Sequence, residues 1–337
     1  MRARPEPTGE GGGPVAELRG VSKEFKVRMP GGRHATLRAV DGVDLAIPRG
    51  TTLGLVGESG SGKSTVARLL LRLADTTGGQ VYLGSTDITK ARGGALRHLR
   101  RHMQLVFQDP YSSFDPRISI ANSIREALRR TRPDRTEIPA RTAQLLDMVG
   151  LSATLGHRSP PQLSGGQLQR AAIARALAVG PALIALDEPL SSLDVSSQAH
   201  IINLLEDLQA ELGVAYLFIT HDLTAVRYIS QEVAVMYLGR IVESGPTERI
   251  YAAPKHPYTE ALLSAAPRAD ATLRGRSDRI ILSGDVPSAM SPPTGCRFHT
   301  RCPYGMEVCS RVDPPPTLTP DGVTVACHLI NPPGEAA

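Results

Sequence analysis

Between residues 57 and 64 the chain reads Gly57-Glu58-Ser59-Gly60-Ser61-Gly62-Lys63-Ser64, two glycines separated by four residues and followed at once by Lys and Ser. No other stretch restricts the fold so much, because its neighbours must supply a strand on one side and a helix on the other. Before it, Thr52-Leu53-Gly54-Leu55-Val56 is a short apolar run that reads as a buried strand. After it, Val66, Leu69, Leu70 and Leu73 recur at helical spacing. A glycine-rich loop in that context aims backbone N–H groups inward and adds the positive end of the helix dipole, which makes a cradle for phosphate. Lys63 is then placed to reach the β- and γ-phosphates of a nucleotide, and the Ser64 hydroxyl to ligate Mg2+. Ser59, Gly60, Ser61 and Thr65 complete the candidate cradle. A pattern this short also arises in ordinary Gly/Ser-rich turns, so the rest of the chain has to decide.

Two further elements bear on it. Leu183-Ile184-Ala185-Leu186-Asp187-Glu188 is an apolar strand ending in adjacent carboxylates, at the strand tip where open α/β sheets bind ligands. Asp187 suits Mg2+, and Glu188 remains free to polarise an attacking water. Leu163-Ser164-Gly165-Gly166-Gln167 opens a helix and presents a second anion-binding start. A nucleotide has one γ-phosphate, so the second start is expected to address a nucleotide held by another subunit. Strands and helices alternate from residue 52 to about residue 220, which predicts a parallel sheet covered on both faces. An antiparallel layer is expected from Ala16–Val21 and Val43–Ile47, and a helical insertion from about Ile118 to Gly156.

The chain has 337 residues with a net charge of +5, room for one large or two smaller domains. Aromatic residues make up 4 % and Trp is missing, so platforms for stacking single-stranded bases are scarce and nucleic acid is not an expected partner. No run approaches the roughly twenty uncharged apolar residues of a membrane span. Residues 1–14 read as a disordered tail. Beyond residue 255 the character shifts to Pro, Cys and charge. All four cysteines lie there, as Cys296-x5-Cys302-x6-Cys309-x17-Cys327. Four thiolates can hold an iron–sulfur cluster or tetrahedral Zn2+. Zinc usually brings a closely spaced pair that this segment lacks, and simple reduced thiols stay open.

Taken together, these strings resemble the nucleotide-binding subunit of ATP-binding-cassette (ABC) transporters. The resemblance covers residues 15–255, with a helical subdomain at about residues 109–166. It implies a P-loop NTPase cassette of the α/β class, with a parallel core sheet, an antiparallel β layer and a helical subdomain. Gly57–Ser64 matches Walker A, Leu163–Gln167 the signature and Leu183–Glu188 Walker B. Gln108 matches the glutamine that senses Mg2+ and links to the membrane subunit. Ser191–Asp194 matches the D-loop, and His221 the histidine that contacts the γ-phosphate. Phe25 stands where the family stacks an aromatic on adenine. The resemblance implies ATP and Mg2+ as ligands and hydrolysis by Lys63, Gln108, Glu188 and His221. It also implies a head-to-tail dimer with a second such subunit, in which each ATP lies between one phosphate loop and the other signature.

Residues 256–337 narrow the class. His256–Pro267, Gly295–Pro303 and Ala326-Cys327-His328 resemble the C-terminal extension of oligopeptide and dipeptide importer ATPases, as does Phe107–Pro116. That subgroup implies a [4Fe-4S] cluster on Cys296, Cys302, Cys309 and Cys327, with Zn2+ as the alternative. It implies two transmembrane permease subunits, an extracellular substrate-binding protein acting indirectly, and a peripheral location at the cytoplasmic face of the cell membrane. An importer of nickel or another solute is the nearest rival. A soluble ABC ATPase of DNA repair or translation is a more distant one, disfavoured by a single cassette without long heptads. A non-hydrolysing regulatory subunit is disfavoured because every catalytic station is filled.

Overall fold

The computed structural model describes residues 13–28, 32, 34–131, 134–265 and 280–332. The expected N-terminal tail lies outside these residues except for Gly13 and Pro14, as do Ala266 and Pro267 of the tail motif. The chain opens with two long antiparallel strands, β1 (Ala16–Arg28) and β2 (His34–Ile47). Strand β3 (Thr52–Val56) leads through the glycine-rich loop into α1 (Lys63–Leu70). Strands β4 (Gly78–Leu83) and β5 (Thr86–Asp87) complete a four-stranded sheet in the order β2-β1-β4-β5. Next come α2 (Gly93–Leu99), β6 (Met103–Val106), α3 (Ile120–Arg129), α4 (Ile138–Met148), α5 (Ala153–Gly156) and α6 (Gly165–Leu177).

The remainder alternates: β7 (Leu183–Asp187), α7 (Val195–Leu212), β8 (Ala215–Thr220), α8 (Leu223–Ile229), β9 (Glu232–Tyr237), β10 (Arg240–Pro246), α9 (Thr247–Ala252) and α10 (Pro257–Ala265). A short hairpin, β11 (Thr317–Leu318) and β12 (Thr324–Val325), closes the described chain. The main sheet runs β11-β12-β10-β9-β3-β8-β7-β6. Its pairs from β9 through β6 are parallel, and those from β9 outward to β11 are antiparallel.

Strands β3, β7 and β8 are buried at every position, as expected of a parallel sheet covered on both faces. Alternation divides their side chains between two cores. Leu217 and Ile219 of β8 join α1 and the antiparallel layer, whereas Tyr216 and Phe218 face the helical side. In the insertion, Ile120, Ile124 and Leu128 recur every four residues along α3 and are each fully buried. Such burial is worth about 1.5–3 kcal/mol per side chain, and Ser119 caps the helix by accepting from the Asn122 N–H.

The C-terminal extension packs into the core of the cassette. Phe298 is 1 % exposed and packs on Tyr237 of β9 and Tyr258 of α10, with ring centroids 5.3 and 5.4 Å away. Strand β12 pairs with β10 through Glu243–Val325 and Ser244–Thr324, so the C-terminal segment widens the main sheet. Among the described residues no helix is long and apolar enough to cross a membrane.

Candidate active site

Strand register builds the site. Val56 of β3 lies opposite Thr220 of β8, Ile219 opposite Asp187 of β7, and Leu186 opposite Val106 of β6. The residues that follow these four parallel strands therefore emerge along one sheet edge. They are the phosphate loop, His221, Asp187-Glu188 and Phe107-Gln108, four strings that lie far apart in sequence.

In the loop, Gly57 and Gly62 are fixed by close approach. A Cβ on Gly57 would run into the Met236 carbonyl, and one on Gly62 into the Ala39 carbonyl of β2. Gly62 also has φ 110°, a conformation that side-chain-bearing residues rarely adopt. Ser59 and Gly60 are exposed, Ser61 is buried, and Thr65 is half-buried in the first turn of α1. The buried Ser61 hydroxyl has no protein partner, so it is available to a ligand in the cradle. Lys63 is 5 % exposed, and its Nζ donates to the carbonyls of Gly57 (2.7 Å) and Glu58 (2.9 Å). Burial lowers its pKa, while Glu188, Asp187 and Glu58 pull it back up.

The carboxylates sit beside it. The Ser64 hydroxyl donates to Asp187 Oδ1 at 2.9 Å, joining the two residues expected at Mg2+. Burial raises the Asp187 pKa, and the Ser64 hydrogen bond opposes that rise. Two hard oxygens suit Mg2+, which keeps several waters and takes its remaining ligands from substrate phosphates. Glu188 is in the left-handed region at φ 46°, an unusual conformation for a non-glycine residue. Its Oε2 accepts from Gln108 Nε2 at 2.9 Å, and its Oε1 lies 3.6 Å from His221 Nδ1. Lys63, Ser64, Gln108, Asp187, Glu188 and His221 thus form one connected constellation. It can grip a polyphosphate and hold one carboxylate against a water.

The signature occupies the N-terminus of α6 as a reciprocal cap. Ser164 Oγ accepts from the Gln167 N–H at 3.3 Å, and Gln167 Oε1 accepts from the Ser164 N–H at 3.1 Å. Gly165 and Gly166 pack toward Ser192, Leu193 and Ser197, beside the candidate D-loop. Phe25 is half-exposed on β1, with Lys23 Nζ 5.0 Å from its ring centroid. Its partner on β2 is Leu37, two positions from the Ala39 carbonyl that abuts Gly62, which puts the ring on the strand pair flanking the loop.

The cysteines are grouped without forming a ligand set. The Cys296 N–H donates to the Cys309 carbonyl at 2.8 Å, and Cys309 and Cys327 are buried. Burial pushes the Cys296 thiol up to about 11, with Cys309, Cys327 and Cys302 adding to the rise. Burial likewise raises Cys302 and Cys327. The thiols therefore feel one another electrostatically. Yet among the described residues no three His, Cys, Asp or Glu side chains are gathered closely enough to hold a metal. As they stand the four side chains do not form a metal-holding group, so a bound cluster would need them to converge on one point.

Glu58, inside the phosphate loop, has partners that sequence reasoning did not assign. Arg301 holds its carboxylate, and Tyr258 accepts its N–H. Both residues were noted only as part of motifs marking the extension. No local pattern reveals a contact spanning 243 positions.

A P-loop between a parallel strand and a helix, with paired carboxylates on a neighbouring strand end and a capped signature helix, defines an ABC-type ATPase. Comparison with known proteins agrees. Residues 40–191 match the ABC transporter family, and residues 242–309 match the oligopeptide/dipeptide transporter C-terminal region. The chain belongs to the ABC transporter ATP-binding proteins, in the group that carries this C-terminal region. It is 49 % identical over 316 residues to a probable peptide ABC transporter ATP-binding protein of Sinorhizobium fredii, covering 93 % of this chain and 87 % of the relative. Among solved structures it resembles the dimeric ATP-binding cassette MJ0796 in a post-hydrolysis state bound to ADP and phosphate. That similarity has a TM-score of 0.62 at 30 % identity, over 69 % of this chain and 98 % of the other. It also resembles cbiO1 of Clostridium perfringens, part of the cbiONQ transporter complex, with a TM-score of 0.63 at 27 % identity, over 71 % and 91 % of the two chains.

Proposed function

We propose that this subunit hydrolyses ATP to energise the import of oligopeptides or dipeptides through a membrane ABC transporter. One observation carries the hydrolytic part. Glu188 is fixed between Gln108 and His221 at the sheet edge that also bears Lys63, Ser64 and Asp187. In this reading the loop N–H groups and Lys63 bind the β- and γ-phosphates. Ser64 and Asp187 hold Mg2+, with Gln108 beside them, and Mg2+ neutralises charge on the phosphate oxygens when bound. Glu188 orients and polarises the attacking water, His221 contacts the γ-phosphate, and Phe25 stacks on adenine. Ser164, Gly165, Gly166 and Gln167 complete the site of a second subunit in a head-to-tail dimer.

The proposed permease contact lies next to this machinery. A groove of about 320 Å³ is lined by Leu71, Leu73, Met103, Leu105, Phe107 and Ala176, among others. It forms from the end of α1, β6 and α6, at the root of the helical insertion and not within α3–α5. Leu73 and Phe107 are exposed there. Phe107 precedes Gln108, so an apolar permease helix seated in the groove would press on the residue that holds Glu188. In this reading the protein sits peripherally on the cytoplasmic face of the membrane. The cassette is assigned to residues 15–255 and the extension to residues 256–337. A [4Fe-4S] cluster or Zn2+ on the four cysteines remains the finer reading suggested by the subgroup. Iron, acid-labile sulfide and zinc assays on anaerobically purified protein test it.

The peptide reading rests on the C-terminal match and the relative's name. Uptake of labelled oligopeptides by cells carrying the transporter with Lys63→Ala tests it directly. Uptake is expected to fall to background while nickel accumulation is unchanged. Unaltered peptide uptake, or a loss confined to nickel, contradicts peptide import.

A further inference from the structure

The C-terminal extension reaches the phosphate loop at one residue. Glu58 is the second residue of the loop, and its side chain, N–H and carbonyl are all engaged. Its carbonyl accepts from Lys63 Nζ at 2.9 Å and from the Ser61 N–H at 3.2 Å, contacts internal to the loop. Its N–H donates to the Tyr258 hydroxyl on α10 at 2.8 Å. Its carboxylate takes a two-pronged grip from Arg301, at 2.8 Å and 3.1 Å. Arg301 is 8 % exposed and stands between Phe298 and Cys302 in the cysteine-bearing segment. Its guanidinium also lies 3.4 Å from the Tyr237 hydroxyl.

The segment has little freedom to move Arg301 away. Arg297 is hydrogen-bonded to the Leu238 carbonyl and paired with Asp41, Phe298 is locked among Tyr237, Tyr258 and His256, and the Arg301 N–H donates to the Phe298 carbonyl. Arg301 is thus held by a segment anchored on β2, on the end of β9 and at α10. A carboxylate inside a loop that binds a polyanion is otherwise unfavourable, since like charges in a partly desolvated site repel strongly. A buried, two-pronged guanidinium removes that charge from the phosphates and fixes the loop's entry turn together.

We propose that Arg301 of the extension is a positioning residue for the ATP site, neutralising Glu58 and, with Tyr258, holding the first turn of the phosphate loop open to phosphate. This rests on the ATP-site reading and extends it. The extension becomes a wall of the nucleotide site, and the cassette alone is incomplete without it.

The test is steady-state ATPase kinetics and binding of a fluorescent ATP analogue, on the full-length chain. R301Q leaves Glu58 uncompensated, and KM for ATP should rise about tenfold with kcat within about twofold, the scale of a lost charge-assisted bidentate contact. The double variant R301Q/E58Q removes the stray carboxylate and should recover most of that rise. R301K keeps the charge but loses the fork, and should fall between the wild type and R301Q. Y258F, which deletes only the hydroxyl, should raise KM by about threefold. If R301Q does not fold, the R301K and Y258F shifts decide in its place. A lower melting temperature in R301Q with KM unchanged, or a double variant worse than R301Q, overturns the clamp. Failure of the wild-type chain to bind the analogue would remove the ATP reading itself, a different result from any of these.

Discussion

At the scale of the residue, the site depends on groups held away from their ordinary chemistry. Glu188 sits at positive φ, which carries its carboxylate off the end of β7 toward Gln108 and His221. Such strain costs of order 1–3 kcal/mol and persists only where surroundings enforce it. His256 shows the same principle at the start of the extension. It is 1 % exposed, its Nδ1 accepts from the Tyr258 N–H at 3.1 Å, and burial depresses its pKa to about 3. The unfolded chain takes up this proton near pH 6.5 while the folded chain refuses it, so stability is lost as pH falls from there toward 3. Between about pH 6.5 and pH 5 the loss from this group is roughly 2 kcal/mol. Urea denaturation of wild type and His256→Gln across that range checks it. The wild type should lose that much more than the variant, and parallel profiles would show that His256 carries no such penalty.

At the scale of the element, α6 carries a cap that stabilises the helix and is proposed to meet a partner's nucleotide. Ser164 and Gln167 satisfy each other's N–H groups, which stabilises the helix start in its own right. Ser164→Ala is expected to cost about 1 kcal/mol in chemical denaturation. It should also cut dimer turnover at least tenfold while leaving the isolated subunit's ATP binding intact. Loss of binding in the isolated subunit would place this cap at its own nucleotide instead of a partner's. Elements with strong periodicity were legible from sequence: β3 matches the apolar run read as a buried strand, and α3 and α4 fall within the expected helical insertion. Helix α2 was not foreseen, for it buries none of its residues and leaves no apolar stripe. The strands β11 and β12 are two residues each, too short for any alternation, and they exist because β10 offers them an edge.

At the scale of the molecule, the catalytic strings were readable because each is local: a loop, a strand end, a helix start. Their convergence follows from the strand order, which the structure supplies; the strand–helix alternation implied only a parallel sheet. The contact between extension and cassette was not readable. It depends on Phe298 entering an aromatic cluster and on Arg301 reaching Glu58, pairings between single residues over long separations. The grouping of the cysteines was legible in sequence, but not whether their side chains converge, since residues near one another along the chain need not meet at one point. What unites the fold is one sheet that carries the ATP site at its parallel end and the extension on its antiparallel edge.

The central claim is that this sheet edge hydrolyses ATP with Glu188 as the water-activating group. The most direct measurement compares ATP turnover and ATP binding for wild type and Glu188→Gln in the assembled transporter. The carboxamide keeps shape and can still meet Gln108 and His221, but it cannot accept a proton. Turnover should fall by a factor of about a hundred or more, with ATP binding and dimer closure preserved. Turnover at the wild-type rate in that variant would contradict the account.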